Sequence, residues 1–422
     1  MIISNLSVPL LGLVDTAVLG HLDQPVYLAA VAVGSTILSF LYWGFGFLRM
    51  GTTGLAAQHV GRQDAYQNRQ LAAQSILLAL SISVAIVITS PWLTQFGLAM
   101  IGSPADSAAA AQSYTQIRLF SAPAVLINYS IIGWLIGQQD SRWPLLITLT
   151  TNVLNIALDL LFVIVLKLNS DGAATATVIS EYAGCGLALW VLRQRLGQLP
   201  GQLNYKKLTK LADYQSLLAV NRHLFIRTLT LLACLAFFTA QGASQGVVIL
   251  AANSLIMQLL MLTSYGLDGF AHAAEALIGK AKGEGEHSLF IDTCQQCGKW
   301  SLITALIFTL VYALAGHNMI TLLSNIESVV TEASKYLPWL IMLPLISMPA
   351  YLLDGVFIGA SQSKAMQNAM LFSALAIYLP AWYVSQHLGN HGLWLAFIGF
   401  NLARGLTLSI LFVRNTRQRR WV

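Results

Sequence analysis

Apolar stretches of helix length follow one another along nearly the whole chain, and very few folds can accommodate so many. Twelve are read, at 2–20, 27–53, 70–91, 113–138, 143–167, 172–194, 217–241, 247–273, 297–316, 335–359, 365–387 and 391–413. A helix needs roughly 20 apolar residues to cross the hydrocarbon core, and in lipid only helices and closed barrels satisfy their own backbone hydrogen bonds. A barrel would show segments of about ten residues alternating between polar and apolar. Of the 422 residues only 9% are charged, against about 25% in an ordinary soluble domain. The expected class is therefore an all-α integral membrane protein with twelve transmembrane helices in two six-helix bundles. A cleavable signal peptide is not expected, because the first apolar run holds Asp15 and lacks a basic leader.

The loops set the expected topology. With both termini cytoplasmic, sixteen of the 23 Lys and Arg fall in inside loops and the tail, against Lys167 and Lys335 outside. That is the positive-inside bias of a multi-pass protein, and it accounts for the net charge of +6 without a nucleic-acid partner. The longest connection carries Pro200, Gly201 and Lys206-Lys207. It divides the chain into an N-lobe at 1–196, a cytoplasmic linker at 197–216, a C-lobe at 217–413 and a basic tail at 414–422. Cys294-Gln-Gln-Cys297 has metal or redox spacing, but no second pair or nearby His pair completes a site. No metal centre and no cofactor are expected.

The halves repeat. Gly133-xxx-Gly137 and Arg142 match Gly355-xxx-Gly359 and Lys364 at an offset of 222, and Tyr114 matches Tyr336 at the same offset. Gly51 to Gly61-Arg62 matches Gly269 to Gly279-Lys280 at 218. With six spans per half, these are parallel repeats about an axis along the membrane normal, an arrangement common in transporters.

One stretch breaks the repeat. Asn155 and Asp159 are four apart in an apolar span and share a helix face, and Asn152 is read on the same face. At the offset of 222 their counterparts are Ile377 and Ala381, so this polarity belongs to one lobe. Asp15 lies mid-span after Pro9 and Gly12, on a helix able to bend near the acid. Thr177 in the sixth span is placed to add a hydroxyl. Acids inside a membrane are costly and mark functional sites by default. Two carboxylates sharing a dry pocket titrate as a pair and can hold a proton near neutral pH. Ionised beside Asn and Thr oxygens, they can instead ligate Na⁺. The residues leave both open. Glu181, Asp268 and Asp354 are secondary candidates for cavity, ion-site or interhelix roles, with Arg49, Arg118 and Arg404 as partners. Glu275 reads as a residue near the membrane interface.

Residues 9–21, Pro-Leu-Leu-Gly-Leu-Val-Asp-Thr-Ala-Val-Leu-Gly-His, resemble the first-helix signature of the multidrug and toxic compound extrusion (MATE) family. The Asn155-xxx-Asp159 stretch, the Gly172-Ala173-Ala174 start of the sixth span and the GxxxG before each fourth-to-fifth loop fit as well, and the DinF-like prokaryotic branch is most similar. The resemblance implies two six-helix bundles and efflux of drugs and organic cations driven by H⁺ or Na⁺ across a bacterial inner membrane. It implies that Asp15, Asn155, Asp159 and Thr177 form the N-lobe cation or proton site. It also shows a departure: the NorM-like branch uses an acid in the seventh helix, and residues 217–241 contain none, so a second Na⁺ site there is not expected and Asp354 lacks that partner.

The function expected is a cation-coupled multidrug antiporter, most simply H⁺-coupled, acting as a monomer in the lipid bilayer on small-molecule drugs. Na⁺-coupled efflux and a lipid-linked precursor flippase are the alternatives. An enzyme is not expected, since no HExxH, GxSxG or paired-acid motif falls in a span.

Overall fold

The computed structural model describes residues 25–101 and 105–421. Pro9 and Asp15 lie outside them. Among the described residues all regular structure is helical, and the principal helices in chain order are α1 Pro25–Gly44, α2 Phe47–Gly61, α3 Ala65–Ile101, α4 Ala105–Leu119, α5 Ala122–Gly137, α6 Arg142–Asp159, α7 Asn169–Gln198, α8 Gln215–Ser244, α9 Val247–Glu284, α10 His287–Leu323, α11 Glu327–Gly359, α12 Ser363–Phe372, α13 Leu379–Ser385 and α14 Asn390–Arg417. Ten spans among the described residues are long and apolar enough to cross a membrane, or eleven if the bent pair α4–α5 counts as one. The helices outrun the apolar runs. α3 and α10 have 37 residues each, about 55 Å of helix at 1.5 Å per residue, whereas the hydrocarbon core is about 30 Å thick. Along α3, Ile88, Trp92, Phe96 and Met100 are each at least 65% exposed. They recur every four residues as a lipid-facing stripe, since lipid, not water, is the solvent there.

The chain divides into two compact units between Leu218 and Ala219. The polar segment after α7 is docked on the first unit. Arg69 donates to the carbonyls of Leu196 and Leu199, Gln70 to that of Asn204, and Gln74 to that of Asp213 at 3.1 Å. Tyr214 and Leu217 complete the first unit's apolar core with Leu71, Trp134 and Leu192. The second unit's core is richer in aromatic rings, with Phe238, Tyr378, Trp394, Phe397 and Phe400 packed edge to face or tilted. The expected basic tail is helical to Arg417, and Trp421 beyond it is fully buried against Phe290, Phe357 and Phe412.

The repeat is present as one helix crossing made twice. A Cβ at Gly133 would come within 3.0 Å of the Arg49 backbone, and one at Gly355 within 3.0 Å of the Ala271 backbone. Gly137 meets Thr53 O and Ala57 N as Gly359 meets Glu275 O and Gly279 N. Every one of these pairs is offset by 222. The turns that follow match too, with left-handed backbone at Gln139 and Ser361. The alignment of Gly61 with Gly279 at 218 is thus one helical turn out: Ala57 is the structural counterpart. A helix repeats its face after four residues, so a small-residue pattern aligns with itself after such a slip.

This crossing gives a stability test. Gly355→Ala is expected to destabilise by about 1–3 kcal/mol, because the new methyl meets backbone that cannot turn aside. Gly186→Ala, where a Cβ meets nothing within 4 Å, should be neutral or stabilising. Thermal unfolding of the purified protein in detergent decides; equal melting of the two variants would contradict the close crossing.

Candidate functional site

One buried polar stripe of the first unit is carried by α6 and packed against α7. Along α6, Thr151, Asn155 and Asp159 recur every four residues and are buried, the last two almost completely, whereas Val153 is 66% exposed. Asn152, expected on this stripe, lies on its flank and is half-buried. Thr151 takes its place, because four-residue steps drift less around a 3.6-residue helix than three-residue steps. α7 can approach closely because Gly184 faces Thr151, where a Cβ would come within 3.0 Å of the hydroxyl. Between the two helices, Asn155 Nδ2 donates to Thr177 Oγ1 at 3.1 Å, and Thr177 Oγ1 donates to Ala173 O at 2.9 Å. The amide is thereby held one way round, and its Oδ1 is buried with no hydrogen-bond partner among the described residues. An acceptor oxygen in that state invites a proton donor or a cation. The Asp159 carboxylate follows one turn on, and directly after it the backbone turns π-helical over Leu160–Val165. Such π turns gather at functional sites.

Two breaks interrupt other helices of the first unit. α1 gives way to α2 at Phe45–Gly46, and α4 to α5 at Phe120–Ser121 with a 47° bend. Tyr42 Oη donates to Arg118 O at 3.2 Å, and Tyr182 Oη donates to Phe120 O at 3.0 Å, so the carbonyls freed at the second break are satisfied. Glu181 lies one turn past Thr177 on α7, half-buried and within electrostatic reach of Arg118. Asn128 on α5 is buried, with its Oδ1 unpartnered. Thr151 and Asn128 were missed in the sequence. Thr151 had a signal, its four-residue spacing from Asn155; Asn128 is a lone amide in an apolar span and had none.

The second unit lacks the stripe. Ser373 Oγ donates to Ala369 O at 2.7 Å as Thr151 Oγ1 does to Ile147 O at 2.9 Å, again offset by 222. Beyond Ser373 a π-helical stretch, Ser373–Tyr378, sets the face back by one residue. Tyr378, next to the expected counterpart Ile377, is fully buried, whereas Ile377, Ala381 and Trp382 are half-buried. The polarity still belongs to one unit.

Asp354 does have partners. Its Oδ2 accepts from Arg227 on α8 and, at 2.9 Å, from Arg404 on α14. Arg404 is one of the expected partners; Arg227, buried in the middle of α8, is an addition. Asp268 is half-buried within electrostatic reach of Tyr265 and Tyr351. Glu275 is 1% exposed, because α11 crosses its backbone at Gly359. Cys294 and Cys297 are free and buried.

Comparison with known proteins is consistent along the chain. The sequence profile of the MatE family matches twice, over residues 1–161 and 224–384. DNA damage-inducible protein F of Escherichia coli K12 is 41% identical, covering 100% of this chain and 92% of that protein. A probable multidrug resistance protein NorM of Thermotoga maritima is 26% identical over 44% of this chain and 41% of its own. A MOP superfamily transporter from Pyrococcus furiosus has the same fold at a TM-score of 0.88 and 21% identity, covering 99% of this chain and 93% of that one. An outward-facing multidrug resistance MATE family transporter gives 0.87 at 21% identity, with the same coverage.

Proposed function

The chain belongs to the MatE family of membrane transporters, and from that premise we propose that it is a multidrug antiporter coupled to an inward cation flux, with H⁺ as the coupling ion. The supporting observation is the buried Thr151–Asn155–Asp159 stripe with its fixed amide and unpartnered Asn155 Oδ1, present in one unit only. In this reading Asp159, with Asp15 from the first span, takes up a proton. Neutralising a carboxylate removes the cost of holding a charge in a dry environment. Bending of the first helix near Pro9 and Gly12 then releases bound drug outward, and loss of the proton to the cytoplasm resets the site. The protein sits in a bacterial inner membrane with both termini cytoplasmic, as the distribution of Lys and Arg supports. Organic cations and other amphipathic compounds are its substrates.

The same oxygen set suits Na⁺ as the alternative coupling ion. Gradients separate the two. In proteoliposomes loaded with a fluorescent organic cation, an imposed pH gradient without Na⁺ is expected to drive transport, and a Na⁺ gradient at constant pH is not. Transport driven by Na⁺ alone would overturn the H⁺ assignment.

A further inference from the structure

The last helix carries a surface groove that the coupling site does not use. On α14, Ser409, Ile410, Val413, Arg414, Arg417 and Gln418 line a shallow, open groove of about 470 Å³. That volume lies within the range of small-molecule sites, about 300–1,000 Å³. The positions recur at four-residue steps, so they form one face of the helix over its last turns. The groove changes character along its length. Ile410 and Val413 are apolar and exposed, and Leu402 and Leu406 continue the stripe at 44% and 53% exposure. From Ile410 back to Leu402 is about 12 Å of helix, most of a membrane leaflet about 15 Å deep. Arg414 and Arg417, both exposed, stand at the other end.

The turn beyond the helix adds two more guanidiniums on a fixed backbone. Arg420 N donates to Asn415 O at 3.0 Å and Arg419 N to Thr416 O at 3.1 Å, with left-handed backbone at Arg419. This paired closure ends the helix and reverses the chain. Trp421 is then buried against Phe290 and Phe357, and its Nε1 donates to Thr416 Oγ1 at 2.9 Å. Among the described residues, none of Arg414, Arg417, Arg419 and Arg420 makes an ion pair. The end of α7, the last long helix of the first unit, differs. There Arg195 is paired with Asp140, and Leu196 and Leu199 pack onto the core.

We propose that the groove on α14 seats an anionic phospholipid. An acyl chain lies along Leu402, Leu406 and Ile410, and the phosphate sits between Arg414 and Arg417. The guanidinium fork suits phosphate oxygens, and basic patches at the membrane edge attract anionic headgroups. A zwitterionic lipid would bring its ammonium into the same cluster of positive charge, so a net-negative headgroup fits better.

The test is native mass spectrometry of the purified full-length protein, titrated with dioleoyl phosphatidylglycerol or dioleoyl phosphatidylcholine. The anionic lipid is expected to bind more tightly. Arg414→Gln combined with Arg417→Gln should weaken its binding by about tenfold or more, the size expected on losing two arginines at a lipid surface. Binding of the choline lipid should change little. Lys206→Gln combined with Lys210→Gln removes the same charge from exposed linker positions and should leave binding of both lipids unchanged. Glycerol phosphate, a headgroup without chains, should not displace the lipid at equal concentration. Equal binding of the two lipids, an equal loss in the two double variants, or displacement by glycerol phosphate overturns the proposal. Both arginines are exposed, so the double variant is expected to fold. If thermal unfolding shows that it does not, Arg417→Gln alone, at the end of the helix, reads the same difference.

Discussion

Asp159→Asn is expected to reduce gradient-driven efflux to the level of protein-free vesicles while the protein remains folded. The amide has nearly the shape of the acid, so the contacts of α6 with α7 persist. It cannot gain or lose a proton, and it offers a cation one neutral oxygen in place of a charged carboxylate. Folding stability should change by no more than about 1 kcal/mol, and it should rise if the carboxylate is ionised when buried, because a desolvated charge is then removed. Export of a fluorescent cation under an imposed gradient, together with thermal unfolding of the same sample, checks both halves. Export at the unsubstituted rate would remove Asp159 from the coupling site. Loss of export with loss of folding would make it a structural residue.

The largest stability effect is expected at Asp354. Asp354→Ala removes the acceptor shared by Arg227 and Arg404 and leaves two guanidiniums buried with no carboxylate between them. Breaking a buried pair in this way typically costs about 3–5 kcal/mol, enough to lower expression as well as melting temperature. Arg227→Gln should cost much less, because a one-to-one pair survives. The order of the two variants in thermal unfolding is the measurement. An Asp354→Ala protein that melts with the unsubstituted one would mean that the arginines draw their compensation from elsewhere.

The sequence carried the architecture further than the site. Apolar run length and the loop arginines and lysines depend on local composition, so the spans were legible, although only their membrane portions were: α9 runs to Glu284 and α10 starts at His287, well outside the runs at 247–273 and 297–316. Asn155, Asp159 and Thr177 were legible because polar groups stand out in an apolar helix, and four-residue spacing assigns a face. What could not be read depends on the backbone departing from a regular helix. The breaks at Phe45–Gly46 and Phe120–Ser121, and the π-helical stretches at Leu160–Val165 and Ser373–Tyr378, leave no clear periodic trace. Within the second of those π stretches Tyr378, not Ile377, is the fully buried residue. The Arg227–Asp354 pair was missed for another reason: it joins residues 127 positions apart, and no local pattern reports such a contact.

The twice-made crossing at Gly133 and Gly355 supplies each half of the molecule with a built-in reference. A substitution and its twin 222 residues away share backbone geometry and neighbouring helix, so generic effects on membrane insertion and translation largely cancel when one is subtracted from the other. Thr151 against Ser373 is one such matched pair, and Gly137 against Gly359 another. The difference that survives subtraction isolates what selection has asked of one half alone, which makes a paired scan a direct route to separating scaffold from transport.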